Sequence, residues 1–255
     1  MRWYAGCTMI SFVIPAHNEE DIIVATLTHI RGVAGKYPHE IILSDDGSTD
    51  STREKARVLT DRVIQYNGEM PKTIGATRNR GARAAAGDIL FFLDSDVRLR
   101  DPEHFMSRVV ESFESDPKLD AMTVSIRVYP EAETWGDILI LTCFDLYFRL
   151  LNNVFGFGGT HGKCMIVRTS SFRRVGGFNE HMPASEDADL FIRLSKTGMT
   201  MLDPSLRAYF SGRRAHAIGW PRLLWRWTLN GVWIVLFKRS YSRHWNREGI
   251  SANVK

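Results

Sequence analysis

Short apolar runs that lead into polar, acidic turns dominate the first hundred residues of the chain. Their length and their content of β-branched and aromatic residues are typical of buried strands. The strand candidates are Ile10–Pro15, Glu40–Leu43, Val63–Tyr66 and Ile89–Leu93. Helical segments separate these runs: 21–30 has apolar residues at helical spacing, 50–60 follows a capping Ser or Thr, and 75–87 is rich in alanine. This alternation predicts an α/β fold with a mostly parallel central sheet flanked by helices.

Polar clusters follow three of the predicted strands, at the point where each strand ends. They are His17-Asn18-Glu19, Asp45-Asp46 and Asp94-Ser95-Asp96. In parallel sheets, ligands bind at the carboxyl ends of the strands. We therefore expect the three clusters to face one cleft.

Asp94 and Asp96 carry the most specific chemical prediction. Two acids one residue apart on an extended chain point in the same general direction. Like charges this close are costly unless a cation lies between them. Mg²⁺ and Mn²⁺ take oxygen ligands and keep positions open for substrate phosphates. The hypothesis is that this pair holds such an ion against the diphosphate of a nucleotide-sugar.

The rest of the chain predicts further strands and helices. Helical patterns cover 101–115, 135–155, 172–178 and 188–196, and strand patterns cover 121–129, 164–167 and 201–209. A glycine-rich loop before Lys163 is not a P-loop, because Phe157 and Cys164 stand where glycine and Ser or Thr are needed. Glu186 and Asp187 lie at the start of the 188–196 helix, where the helix dipole favours negative charge.

Composition narrows the class of protein. The chain has 255 residues, of which 44% are hydrophobic and 24% charged, enough for one large domain or a domain with a small lobe. Its net charge of +4 favours anionic partners, but the basic residues are dispersed among acids, so we expect no nucleic acid. Its three cysteines form no Cys-x-x-Cys pair, and no apolar run has the roughly 20 residues that cross a bilayer. With no signal-peptide pattern, these features predict a cytoplasmic protein.

The segment 220–241 differs in composition from the rest. Four tryptophans lie there among basic residues: Trp220, Trp225, Trp227 and Trp233 with Arg222, Arg226, Lys238 and Arg239. One interpretation is a basic amphipathic helix on an anionic membrane surface, with the protein peripheral on the inner face of the membrane. The other is that the segment packs across its own domain, since Arg226 and Asn230 interrupt the apolar face.

An ordered set of motifs extends from residue 10 to about residue 200. It comprises strand-Pro15-x-x-Asn18-Glu19, Asp45-Asp46-Gly47-Ser48-Thr49-Asp50, Asn79-x-Gly81, Gly87-Asp88, Asp94-Ser95-Asp96, Gly176-Gly177-Phe178-Asn179-Glu180 and Glu186-Asp187. Each motif alone is weak, but the set in this order resembles the inverting family 2 glycosyltransferases of the GT-A fold. The resemblance implies a Rossmann-like GT-A domain at 1–215, with a nucleotide-sugar half at 1–100 and an acceptor half at 101–215. A basic, Trp-rich helical segment at 216–255 would follow it.

The resemblance also implies roles for the residues at matching positions. Asp187 would be the general base, with Glu186 beside it. The nucleotide-sugar would contact Pro15, His17, Glu19, Asp45, Asp46, Asp94, Ser95 and Asp96, and Arg213 and Arg214 would clamp the departing diphosphate. Mn²⁺ or Mg²⁺ would be held by Asp94 and Asp96, with His216 as a further ligand. Arg78 would reach the donor phosphates, or would instead lie with Arg80 on an exposed basic helix face.

These roles describe a metal-dependent transfer of a sugar from a nucleotide-diphosphate-sugar to an acceptor hydroxyl or phosphate. The acceptor would be a saccharide or a lipid-linked molecule. Two alternatives stay open. One is a non-catalytic scaffold that binds nucleotide-sugars. The other is an Asp-x-Asp phosphohydrolase, although Arg98 stands where that class needs Thr or Val.

Overall fold

The computed structural model describes residues 8–68, 71–237 and 241 of the chain. The predicted basic segment therefore lies partly outside the described residues, including Lys238 and Arg239. The strands are β1 (Ile10–Ala16), β2 (His39–Asp45), β3 (Arg62–Gln65), β4 (Ile89–Leu93), β5 (Arg98–Leu99), β6 (Leu119–Val128), β7 (Cys164–Arg168) and β8 (Met199–Phe210). The helices are α1 (Ile23–Ala34), α2 (Thr52–Arg57), α3 (Ile74–Ala84), α4 (Pro102–Ser115), α5 (Trp135–Arg149), α6 (Thr169–Arg174), α7 (Glu186–Leu194), α8 (Arg213–Ile218) and α9 (Trp220–Phe237), and a π-helical turn, Leu150–Val154, continues α5.

The strands form one mixed sheet in the order β3-β2-β1-β4-β7-β6-β8-β5. The predicted parallel pairing holds for β3-β2-β1-β4, and β6 and β8 are also parallel. β7 runs antiparallel to both β4 and β6, and β5 is antiparallel to β8. The α/β fold that the sequence predicts is therefore confirmed, with an antiparallel strand inserted beside β4.

Alternate residues of the central strands enter two different apolar layers. Phe12 and Phe91 pack into the larger cluster with α1 and α4, whereas Val13 and Phe92 pack into the other with α6 and α7. This division follows from the two-residue period of a strand whose two faces are both covered. All five residues of β4 are buried, so the acids that follow it start from a rigid position.

The helix predicted over 75–87 ends earlier in the structure. The helix ends at Ala84, and Ala85 is already extended. A Cβ on Gly87 would lie 2.6 Å from the hydroxyl oxygen of Ser11 and 2.7 Å from its backbone nitrogen. The glycine is therefore needed for close approach to β1 and not for a helix cap.

Candidate active site

A cleft of about 2730 Å³ opens where β1, β2 and β4 end. The structure brings all three polar clusters to it, as the sequence leads us to expect. The predicted site residues on its lining are Pro15, His17, Glu19, Asp46, Arg78, Asp94, Ser95, Asp96, Glu186, Asp187, Arg213 and Arg214. Asp45 and His216, which were predicted with them, are not part of this lining.

The loop after β1 is tied to the start of α8. Glu19 is only 3% exposed, and its two carboxylate oxygens accept hydrogen bonds from the Arg213 guanidinium at 2.5 and 3.0 Å. Burial raises the pKa of Glu19, although the contact with Arg213 acts in the opposite direction. Nδ1 of His17 donates to the carbonyl of Asp46 at 3.2 Å, which joins this loop to the turn after β2.

The two acids after β2 have different surroundings. Asp45 is fully buried, and its carboxylate accepts the backbone N–H groups of Gly47 and Ser48 at 3.1 Å. It therefore shapes its own turn. Asp46 lines the cleft and accepts a hydrogen bond from Arg80 at 3.2 Å. Arg80 is 6% exposed, so the interpretation that it lies on an exposed basic face is wrong.

Asp94 and Asp96 lie on either side of the Lys163 ammonium. Nζ of Lys163 is 2.9 Å from Asp94 and 3.4 Å from Asp96. The hydroxyl of Ser211 donates to the other oxygen of Asp96 at 2.5 Å. The carbonyl of Ser95 accepts a hydrogen bond from the hydroxyl of Thr26. Burial disfavours the charge on Asp96, but Lys163 and Ser211 outweigh it, so the pKa of Asp96 lies below its usual range. Asp96 is therefore ionised at neutral pH.

Arg78 connects the Asp94 end of the cleft to the Glu186 end. Its guanidinium donates to Glu186 at 2.6 Å, and to Asp94 and the carbonyl of Gly162 at 2.9 Å. Arg78 is 4% exposed, so the exposed-face interpretation is wrong for this residue too. Buried cations are retained only where anionic groups compensate them, and here three acceptors surround one guanidinium.

Glu186, which is buried, and Asp187, which is half-buried, form an acidic pair in the first turn of α7. Burial and the neighbouring Asp187 carboxylate raise the pKa of Glu186 to about 8, against the opposing charge of Arg78. Burial likewise raises the pKa of Asp187. A carboxylate with a raised pKa is a stronger base, which is what abstraction of a hydroxyl proton requires.

The glycine-rich loop packs directly against the Asp187 carboxylate. A Cβ on Gly162 would lie 2.2 Å from an oxygen of Asp187, and φ at Gly162 is +77°. Only glycine fits both the backbone conformation and the space. The loop therefore contributes to the position of the Asp187 carboxylate.

His216 is bound elsewhere, and the predicted three-ligand set is not assembled. Its Nε2 lies 2.9 Å from Asp137, whose other oxygen accepts from the indole N–H of Trp220 at 2.7 Å. Thr134 and Asp137 also form the capping box of α5. His216 thus joins α8 to the start of α5, which corrects the expectation that it points to Asp94 and Asp96.

The side chains of Asp94 and Asp96 fit a hard divalent cation, because two carboxylates on the lining of the cleft are oxygen ligands of the kind that Mg²⁺ and Mn²⁺ prefer. Among the described residues, no cluster of three or more His, Cys, Asp or Glu side chains is arranged to hold a metal. The position between the two carboxylates is taken by Lys163.

Sequence reasoning missed Gly162, Lys163 and Ser211. Lys163 is placed by strand pairing across the sheet: Leu93 pairs with Cys164, so Lys163 lies opposite Asp94, and its carbonyl accepts the Asp94 N–H at 3.2 Å. A single cation directly before an apolar strand was the available signal. It becomes informative only when that strand is known to pair with β4.

A group of exposed apolar residues lies partly on the lining of the cleft. In the described part of the chain, twelve of the fifteen exposed large hydrophobic residues lie between 135 and 157 or between 225 and 241. The first group contains Trp135, Leu139, Leu146, Tyr147, Leu150, Val154, Phe155 and Phe157, and the second contains Trp225, Trp227, Trp233 and Tyr241. Several members of both groups also line the cleft. We call this the apolar wall.

The described part of α9 agrees with the interpretation that the C-terminal segment packs on its own domain, and the membrane-surface interpretation stays a prediction. Leu223 and Asn230 are buried, and the ring of Trp227 lies 5.6 Å from that of Phe144 on α5. The helix therefore packs on its own domain, while Trp225 remains 66% exposed. Within the described residues, no helix combines the length and apolar content that a membrane span needs.

A sequence profile described as Glycosyl transferase family 2 matches residues 11–176. The chain therefore belongs to glycosyl transferase family 2. The succinoglycan biosynthesis protein ExoA of Rhizobium meliloti (strain 1021) is 28% identical over 218 residues, covering 82% of this chain and 65% of ExoA. Membership confirms the resemblance of the ordered motifs and decides against the phosphohydrolase alternative.

Solved structures share the fold. Mannosyltransferase PcManGT from Pyrobaculum calidifontis, in complex with GDP-Man and Mn²⁺, has a TM-score of 0.65 at 18% identity, covering 87% of this chain and 61% of that one. S. aureus TarS 1–349 in complex with UDP-GlcNAc has a TM-score of 0.59 at 18% identity, covering 79% and 58%. The predicted GT-A fold is confirmed. The chain spans less than two thirds of the length of each of these three proteins.

Proposed function

We propose that the protein is a metal-dependent, inverting glycosyltransferase that uses a nucleotide-diphosphate-sugar as donor. The observation that carries this is one cleft with two distinct acidic centres, Asp94 with Asp96 and Glu186 with Asp187, joined by Arg78. The mannosyltransferase and TarS structures, solved with GDP-Man and UDP-GlcNAc, support a nucleotide-sugar as the donor class.

The residues divide the chemistry between the two centres. Asp94 and Asp96 would hold Mn²⁺ or Mg²⁺, which when bound supplies charge stabilisation for the leaving diphosphate. Asp187 takes the proton of the acceptor hydroxyl while the oxygen of that hydroxyl attacks the anomeric carbon. The bond between the anomeric carbon and the diphosphate breaks, and its electrons leave with the diphosphate. Arg213, held by Glu19, and Arg214 lie on the cleft where they can bind that diphosphate. One base and no covalent intermediate give inversion.

The first test identifies a donor and then removes the base. Thermal-shift screening of UDP-, GDP- and dTDP-sugars with and without Mn²⁺ selects the donor, because a ligand of the native state raises its stability by mass action. With that donor, Asp187→Asn is expected to lower kcat for hydrolysis or transfer at least about a hundredfold. Asp189→Asn is the matched control, since Asp189 lies in the same turn but is paired with Arg193 at 2.7 Å.

Each result has a clear meaning. Wild-type rates in Asp187→Asn would remove this carboxylate from the mechanism. Donor binding with no turnover in the wild type, over a panel of saccharide and lipid-linked acceptors, would favour the non-catalytic scaffold.

The acceptor is a lipid-linked molecule presented at an anionic membrane surface, with the protein peripheral on the cytoplasmic face. Six residues of the apolar wall line the same cleft as the acidic centres, so an acyl or isoprenoid chain can lie along them while the reacting hydroxyl or phosphate faces Asp187. Exposed Arg149 and Arg222 lie on the same two helices, α5 and α9, where they can contact anionic headgroups.

A further inference from the structure

Lys163 supplies a cation at the place where the proposed metal would bind. Its ammonium contacts the Oδ2 atom of Asp94 at 2.9 Å and the Oδ1 atom of Asp96 at 3.4 Å. Arg78 donates to the other oxygen of Asp94, and Ser211 to the other oxygen of Asp96. All four oxygens of the pair are thus engaged, and the two that face each other share Lys163.

A divalent ion bound by both carboxylates would need those same two oxygens. An ammonium and a divalent cation cannot both lie within contact distance of them, because their mutual repulsion in a partly buried site would be large. The two cations therefore exclude each other.

The Lys163 side chain can leave without disturbing the fold. Its backbone is fixed at the start of β7, where the carbonyl accepts the N–H of Asp94. The side chain is 30% exposed, and Nζ lies 5.3 Å from the ring centroid of Phe210, which also lines the cleft. A lysine is a compact charge on a flexible stem, so rotation about its own bonds is enough to turn the ammonium into the cleft.

We propose that Lys163 holds the position between Asp94 and Asp96 in the donor-free protein and yields it to the divalent cation when a nucleoside diphosphate arrives. The displaced ammonium then pairs with the diphosphate. A metal ion alone must compete with Lys163 for the position between Asp94 and Asp96. When nucleotide binds as well, its diphosphate gives the displaced Lys163 ammonium a new anionic partner. Metal and nucleotide therefore bind cooperatively, and each raises the affinity of the other by the same factor. This inference rests on the proposed function, because it assumes a donor diphosphate in this cleft.

The test is a titration of the whole chain with Mn²⁺, in which electron paramagnetic resonance reports free Mn²⁺, without nucleotide and with UDP or GDP. Lys163→Met removes the competing charge and keeps most of the side-chain volume. We expect this variant to bind Mn²⁺ alone at least tenfold more tightly than the wild type. We also expect nucleotide to raise its Mn²⁺ affinity by a smaller factor than in the wild type. Lys118→Met, at an exposed lysine before β6, removes the same charge elsewhere and is expected to behave like the wild type.

A double variant locates the binding. Asp96→Asn added to Lys163→Met is expected to abolish the gained Mn²⁺ affinity. Equal or weaker binding of Mn²⁺ by Lys163→Met, or tight binding that survives Asp96→Asn, overturns the role of Lys163. If that happens while the wild type still turns over a nucleotide-sugar, the proposed function stands. Failure of every nucleotide-sugar to bind the wild type would overturn the proposed function as well.

Discussion

At the scale of single residues, Arg78 shows how one buried charge organises the site. Its guanidinium compensates Asp94 and Glu186 and also fixes the carbonyl of Gly162. Burial favours the neutral forms of Glu186 and Asp187, and Arg78 acts against it. The strength of the proposed base is therefore set by the balance between desolvation and one neighbouring cation.

Arg78→Met is expected to change both stability and pH dependence. Breaking a buried ion pair leaves uncompensated carboxylates, so the free energy of unfolding should fall by about 3 kcal/mol or more. Loss of the positive charge raises the pKa of the Glu186–Asp187 pair further. Since the base must be ionised, the acidic limb of kcat/KM should move to higher pH. Urea unfolding and a pH–rate profile measure the two effects.

Arg78→Lys is the control for charge. Lysine retains a positive charge but cannot donate to all three acceptors of Arg78. The acidic limb of kcat/KM in this variant should therefore lie between those of the wild type and Arg78→Met. An acidic limb that stays in place in Arg78→Met would show that Arg78 does not tune the base.

At the scale of elements, the glycine-rich loop before β7 carries more of the site than its composition suggests. Gly162 contacts Asp187 on one side, and the next residue holds the Asp94–Asp96 pair on the other. The antiparallel pairing of β7 with β4 fixes both contacts. A shift of this loop therefore moves the proposed base and the proposed cation position together.

Gly162→Ala tests that coupling. The new Cβ would collide with the Asp187 carboxylate, which must move. Displacement of the proposed base, Asp187, should lower kcat about tenfold to a hundredfold. Steady-state turnover of the selected donor measures this effect.

Gly156→Ala provides a matched comparison. Its φ is +64°, and a Cβ there would meet nothing within 4 Å. Both variants carry a left-handed alanine, with a cost of about 1 kcal/mol in unfolding free energy, but only Gly162→Ala should lose turnover. Similar kcat losses in both variants would assign the effect to backbone strain.

At the scale of the whole molecule, polar chemistry and apolar surface lie on the same cleft. The carboxyl ends of the parallel strands supply the acids, and α5 and α9 supply the apolar wall. Asp137 holds these helices together through His216 and Trp220. An enzyme that takes a water-soluble donor and a membrane-presented acceptor needs both surfaces side by side.

Flotation with vesicles tests the membrane-facing role of the apolar wall. Replacement of Trp135 and Trp225 by serine removes two side chains that are 86% and 66% exposed. Loss of that apolar contact should lower partitioning onto phosphatidylglycerol-containing vesicles at least about tenfold. Val58→Ser is the control, because Val58 is 81% exposed but lies on α2's C-terminal cap, away from the wall.

The control variant should float like the wild type. A wild-type protein that stays at the bottom of the gradient with anionic vesicles would contradict the peripheral attachment. Unchanged partitioning after replacement of the two tryptophans would show that another surface of the protein contacts the vesicles.

Much of this protein could be predicted from local patterns. The apolar runs predicted β1, β2, β3 and β4, and β4 matches its predicted bounds. The polar residues that follow those strands do meet in one cleft, because parallel strands bring their carboxyl ends to the same edge. The order of the motifs gave the family.

The sequence by itself determined the strands other than β5 and the position of the acids at the strand ends, since both follow from short-range patterns. Only the tertiary structure decided that Arg78 is buried between two acids, that Lys163 lies between Asp94 and Asp96, and that His216 binds Asp137. Those contacts join residues 16 to 108 positions apart. They depend on the antiparallel insertion of β7 and on the packing of α8 against α5, and neither leaves a periodic signal in the chain.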